Sequence, residues 1–176
     1  MSIANNIVCT LSTLDKSALL AHFVALDAED RRLRFGHPIS DEGLAQYVER
    51  LDFERDGVFV VRDEQQRIVA AAHVALAKGR AEAGLSVAPQ ARGLGLGTRL
   101  FERAVQFARG RGAARIDMHF ISENKGMQHV ARKCGMHIIT HAAESEAYLL
   151  IPQPQTAPAG QMVAQTPANN GTAQAA

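Results

Sequence analysis

The first 151 residues alternate between a helical and a strand-like spacing of hydrophobic positions. Asn6 to Leu11 reads as a strand and Asp15 to Leu26 as a helix. A second helix starts near Ser40, a favourable N-cap with Asp41 and Glu42 in the turn behind it. Its apolar positions Leu44, Tyr47, Val48 and Leu51 recur at i, i+3, i+4 and i+7, one face of a 3.6-residue period. Strands are expected next at Val58–Arg62, Ile68–Ala77 and Ala81–Ala88, with breaks between them short enough for hairpins. A helix from about Gly97 to Arg109 puts Leu100, Phe101, Ala104, Phe107 and Ala108 on one face, and Gly110 or Gly112 ends it. Arg115–Ile121 follows as a strand. Met127, Val130, Ala131 and Cys134 mark a helix closed by Gly135, and Met136–Thr140 and Glu146–Ile151 are final strands. The order β-α-α-β-β-β-α-β-α-β-β predicts an α/β (α+β) fold, a mixed sheet of about seven strands flanked by about four helices.

The pattern stops at residue 152. From Pro152 to Ala176 no residue is charged, and four of the six prolines lie there: Pro152, Pro154, Pro158 and Pro167. Such a segment buries too little apolar surface to offset its ordering entropy, so 152–176 is expected to be a disordered tail behind a single domain at 1–151. The 19 basic and 18 acidic residues leave a formal charge of +1. That balance argues against a general nucleic-acid binder, and any polyanion must be met by a local cluster of donors. Two cysteines, Cys9 and Cys134, with no CxxC indicate neither a disulfide scaffold nor a zinc knuckle. No apolar run of about 18 residues occurs, and the N-terminus lacks a signal-like segment. A cytoplasmic protein with no membrane partner is expected.

Chemistry concentrates at Leu85-Ser86-Val87-Ala88-Pro89-Gln90-Ala91-Arg92-Gly93-Leu94-Gly95-Leu96-Gly97-Thr98. A strand ends at Pro89, three alternating glycines follow, and a helix begins. Glycine admits positive φ and lets a ligand approach the main chain. Amides at a helix start point outward together, and the helix dipole adds positive potential. An anion is called for here, and a pyrophosphate is the expected one. The Walker pattern GxxxxGK[ST] is absent, and the dinucleotide pattern GxGxxG fails at Thr98 or Leu100.

These residues resemble the GNAT superfamily of acyl-CoA-dependent N-acyltransferases. Its signature is a strand ending in V-x-P followed by Q/R-x-x-G-x-G/A at a helix start. Here the strand ends in Val87-Ala88-Pro89, and Arg92 leads Gly95 and Gly97. A second element of the family matches Asn124, Gly135 and Met136. The resemblance implies a mostly antiparallel sheet and acetyl-CoA as co-substrate, with no metal. It implies that the amides of Arg92, Gly93, Leu94, Gly95, Leu96, Gly97 and Thr98 hold the pyrophosphate. The pantetheine arm would pair with the main chain of Leu85, Ser86 and Val87 as an added strand, where that strand splays from its neighbour at a bulge. Gly84 suits such a bulge or a close backbone approach. Asn124 would bond the cofactor, and Arg99, Lys125, Arg132 and Lys133 are candidates for its 3′-phosphate.

The reaction implied is direct attack of a primary amine on the acetyl thioester. An amine of pKa about 10 must lose a proton near neutral pH, and Glu82 is the expected base. Many family members carry a tyrosine seven residues after the asparagine, where this chain has Ala131. Ser122 and Tyr148 are the substitutes considered for protonating the departing thiolate. The missing tyrosine keeps a second reading open, a non-catalytic acyl-CoA-binding or sensor domain. His137 and His141 would lie about 13 Å apart on one strand, too far for joint metal coordination. His73 or His119 is a possible proton relay at the acceptor cleft. Arg31, Arg32 and Arg34 read as a solvated helix end, with selection of an acidic substrate as the alternative. Cys134 is expected in the core. The acceptor is an amine of unidentified kind, and exposed final strands offer pairing with a second copy as a homodimer.

Overall fold

The computed structural model describes residues 7–152. The expected tail lies outside them apart from Pro152, as does Asn6 of the first strand. Seven strands form one sheet in the order β1-β2-β3-β4-β5-β7-β6. In sequence these are β1 (Cys9–Thr10), β2 (Gly57–Arg62), β3 (Ile68–Ala77), β4 (Arg80–Val87), β5 (Arg115–Ile121), β6 (His137–His141) and β7 (Glu144–Leu150). Every neighbouring pair is antiparallel except β4 and β5. Two-residue turns at Lys78–Gly79, both at positive φ, and at Ala142–Ala143 join β3 to β4 and β6 to β7. Positive φ at both central residues matches the twist of the flanking strands.

Among the described residues five α-helices flank the sheet: α1 (Lys16–Val24), α2 (Ala28–Phe35), α3 (Asp41–Glu49), α4 (Leu96–Gly110) and α5 (Lys125–Lys133). The expected first helix is shorter at both ends. A 3₁₀ turn at Thr13–Asp15, held by a capping box between Ser12 and Asp15, precedes it. The sequence reading missed α2 altogether. Its signals were nonetheless present: Asp27 caps Asp30 N–H, Glu29 and Asp30 fill the first turn, Arg32 and Arg34 the last, and Gly36 closes it at φ 80°. Five of its eight residues are charged, and Ala28, Leu33 and Phe35 do not form an apolar stripe at helical spacing, so periodicity could not register it.

Alternation along the strands separates two cores. Leu96, Leu100, Phe101, Ala104 and Ala108 of α4 pack on Ala81, Ala83 and Leu85 of β4 and Ile116, Met118 and Phe120 of β5. On the other face, Leu19 and Phe23 of α1 and Leu44 and Val48 of α3 cover Val58, Val60 and Ala71. Arg31 ties these helices together, donating to the carbonyls of Val24 and Leu26 and pairing with Asp41. Cys134 packs half-buried beside the first core, and burial raises its thiol pKa.

Candidate active site

The parallel pair β4–β5 is joined only at Arg80–Glu82 against Arg115–Asp117. Beyond Glu82 the strands part, so the β5-facing backbone edge of residues 83–87 has no strand opposite it. No register break accompanies the divergence, because β4 stays paired with β3 from Arg80 to Val87. The expected bulge is therefore absent. Past Glu82, β4 stays with β3 to Val87 and β5 stays with β7 to Ile121, so the two halves of the sheet separate between them.

The three glycines do different work. Gly93 (φ 77°) and Gly95 (φ 75°) hold left-handed backbone conformations that a side chain would strain, and nothing lies within 4 Å of a Cβ at either. Gly95 is the N-cap of α4 and supplies no side-chain cap, so the first-turn amides keep their donors for a ligand. Gly97 is helical, and a Cβ there would lie 3.0 Å from Val130 Cγ2. It allows α4 and α5 to approach closely.

Loop, opening and helices enclose a cavity of about 530 Å³. Its lining includes Leu85, Ser86, Val87, Arg92, Gly93, Gly95, Leu96, Gly97, Thr98 and Asn124. Of the residues expected to hold the pyrophosphate and the pantetheine arm, only Leu94 is outside the lining, and its side chain is exposed. Lys125 and Lys133 face the cavity, whereas Arg99 and Arg132 do not line it. The wall the sequence did not foresee is α2, which contributes Asp30, Leu33 and Arg34. Asn124 is buried and already engaged: its Oδ1 caps Met127 N–H at 3.0 Å and its Nδ2 donates to Leu33 O at 3.1 Å. It thus joins α5 to α2 across the opening. Arg92 donates to Val87 O and pairs with Asp30, which ties α2 to the loop as well.

Two polar chains lie on the α1–α3 face of the sheet. His22 Nδ1 meets Ile68 O at 3.0 Å and its Nε2 meets Ser86 Oγ at 2.8 Å. A carbonyl only accepts, so Nδ1 carries the proton and Ser86 donates to Nε2. Burial pushes the His22 pKa down to about 4, the Ile68 carbonyl opposing and the Arg34 charge assisting. A histidine so reluctant to charge is a poor base, and this pair orients Ser86. In the second chain, Tyr47 Oη lies 2.8 Å from His73 Nδ1, and His73 Nε2 lies 3.3 Å from Asp56 Oδ2. Burial and then Arg34 lower the His73 pKa, against the Asp56 carboxylate. Asp56, despite its burial, is held below the usual carboxylate range by Arg55, Leu76 N–H and His73. Sequence reasoning flagged His73 but read Tyr47 only as an apolar helix position.

Glu82 is exposed on this same face, at the last β4–β5 pair and outside the cavity lining. Tyr148 lies two strands from β4, its ring between Arg115 (4.1 Å) and His137 (centroids 5.1 Å apart). Ser122 bonds to Ala142 O and Ser145 Oγ. Neither residue lines the cavity. Ala131 is completely buried, so this position sends no hydroxyl toward the opening. Among the described residues no group of three or more His, Cys, Asp or Glu is arranged to hold a metal ion, and no helix is long and apolar enough to cross a membrane.

Comparisons with known proteins agree with this geometry. The sequence profile of the Acetyltransferase (GNAT) family matches residues 23–136. Crystal structures of similar fold include the GNAT domain of S. lividans PAT, with TM-score 0.70 and 18% identity over 81% of this chain and 89% of that one. Spermidine N-acetyltransferase from Vibrio cholerae, in complex with CoA and spermine, matches with TM-score 0.66 and 19% identity over 82% and 95%. Ribosomal-protein-alanine N-acetyltransferase from Brucella melitensis matches with TM-score 0.63 and 17% identity over 82% and 99%. No curated protein matches the sequence. A profile match over most of the described chain, on a sheet that opens beside an uncapped glycine loop, makes this chain a member of the GNAT acetyltransferase family, an acyltransferase.

Proposed function

We propose that the chain transfers an acetyl group from acetyl-CoA to a primary amine. The observation that carries this reading is the continuity of the divergent β4 edge with the open glycine loop in one cavity. The loop amides from Arg92 to Thr98 receive the pyrophosphate. The free edge of Leu85–Val87 receives the pantetheine arm as a strand would. Lys125 and Lys133, at the cavity wall, meet the remaining phosphate.

The amine nitrogen attacks the thioester carbonyl carbon, a C–N bond forms and the C–S bond breaks. A backbone N–H on the unpaired edge of β4 stabilises the oxygen as charge develops. Glu82, exposed beside the opening, takes the proton the amine must lose. The Tyr47–His73–Asp56 chain is a second route for that proton, favoured by its continuous hydrogen bonding. The thiolate, with a pKa near 8.5, leaves at neutral pH with solvent as its proton source, which accommodates Ala131 and asks little of Ser122 or Tyr148. Dependence on acetyl-CoA accords with a cytoplasmic site of action, and the edge strand β6 is the surface for a homodimer contact.

Thiol release and acetylated product are measured together over a panel of amines. Transfer supports the reading. Binding of acetyl-CoA without thiol release for any amine defeats it. Glu82→Gln is expected to lower kcat about 10²-fold below the pKa of the amine and much less above it. An unchanged pH profile removes Glu82 from the mechanism and leaves the Tyr47–His73 route.

A further inference from the structure

We infer that the acceptor is an amino acid, a primary amine carrying a carboxylate, and that Arg34 receives this carboxylate. The inference rests on the acetyltransferase reading above and specifies its second substrate.

Arg34 stands in the last turn of α2 with its guanidinium against the main chain of Gly84. A Cβ at Gly84 would lie 2.4 to 2.6 Å from the three terminal atoms of that group. Gly84 comes two residues after Glu82, the last residue of β4 joined to β5, so the cation sits where the strands part. It stacks on Phe35 (4.8 Å) and Tyr47 (5.8 Å), and its Nη2 donates to Tyr47 Oη at 3.1 Å. The other arginines around the opening are neutralised: Arg31 by Asp41, Arg32 by Glu29 and Glu123, and Arg92 by Asp30. Arg34 has no carboxylate within 4.0 Å among the described residues, and its Nε is buried without a hydrogen-bond partner.

A partly buried cation with an unused donor is costly unless something pairs with it. The guanidinium fork matches a carboxylate in two parallel hydrogen bonds. Cofactor phosphates are not the natural partner. The glycine loop lies beyond Val87, three residues and about 10 Å further along the strand. Glu82 lies about 6.5 Å back along the same face, so a molecule anchored at Arg34 brings its amine toward the proposed base. The titratable groups facing Arg34 are His22, His73 and Tyr47. Burial and the Arg34 charge hold both imidazole pKa values below the ordinary histidine value, so neither histidine offers a competing cation.

Matched pairs test this on the wild-type enzyme: glycine with methylamine, alanine with ethylamine and leucine with isoamylamine, alongside spermidine. kcat/KM is compared per unit of free-base amine. The carboxylate member of each pair is expected to win by about 10- to 150-fold, the range of a hydrogen-bonded charged contact. Arg34→Gln should reduce that ratio to less than about threefold, while the acetyl-CoA-induced rise in Tm stays unchanged. Equal rates within the pairs, or a preference for spermidine, overturn the inference and leave the acetyltransferase reading standing. Failure to acetylate any amine, despite acetyl-CoA binding, removes both.

Discussion

Gly84→Ala offers a sharp physical test because its effect on stability should change sign with the residue at position 34. Gly84 lies in a strand and is not among the glycines at positive φ, so alanine fits the backbone. In isolation the change should stabilise by about 0.4–1 kcal/mol through the lower entropy of the unfolded chain. In the wild type, however, the new methyl group occupies the space of the Arg34 guanidinium. Displacing that flexible end forfeits a hydrogen bond to Tyr47 worth about 1 kcal/mol and two ring contacts worth about 0.5–1 kcal/mol each. The net expectation is a loss of about 1–2.6 kcal/mol. In an Arg34→Ala background the obstacle is gone, and the same Gly84→Ala change should recover its gain. Urea unfolding of the four proteins, with equal m-values, reads the cycle directly. An identical effect of Gly84→Ala in both backgrounds would show that the guanidinium does not rest on Gly84. A loss above about 3 kcal/mol in the Arg34→Ala background would mean that backbone, not Arg34, fills that space.

Three further outcomes are expected. Acetyl-CoA at 100 times its Kd should add about 2.7 kcal/mol and raise Tm by roughly 5–10 °C, more than adenosine diphosphate does; no shift would make the glycine turn purely structural. His22, neutral in the fold with a pKa of about 4 against 6.5 when unfolded, binds its proton preferentially in the unfolded chain between these values. Stability should therefore fall by about 3 kcal/mol as pH drops from 6.5 to 4, and a His22→Gln variant whose urea midpoints decline as steeply as those of the wild type would refute this origin. Phe101→Ala, at a fully buried position on the core face of α4, should cost about 3–5 kcal/mol in urea unfolding, and a loss below 1 kcal/mol would contradict the described core.

Local information carried much of the way. The continuous apolar runs of β2 and β3, the alternation of β4 and the apolar stripe of α4 were legible because burial on both faces, on alternate residues or on one helix face each imposes its own pattern on the chain. The glycine spacing was legible as a turn into α4 because left-handed backbone next to a helix start demands glycine. The sequence could not show which of the three glycines serves which purpose. Gly97 owes its place to Val130, 33 residues away, a relation no local pattern contains. The charged helix α2 escaped because its order comes from caps and from ion pairs to distant residues, Asp41, Glu123 and Arg92, rather than from an apolar face.

The sequence by itself thus determined the succession of strands along the chain, the glycine turn that opens α4 and the family. These depend on periodicity and on backbone conformations that neighbouring residues dictate. Tertiary structure alone decided that Asn124 joins α5 to α2, that His22 orients Ser86, and that Arg34 lies against Gly84 without a counterion. Each of these facts joins residues between 50 and 91 positions apart, counting from Arg34 to Gly84 and from Leu33 to Asn124. Burial and pairing set their chemistry, and both come into being only when the helices close over the divergent strands.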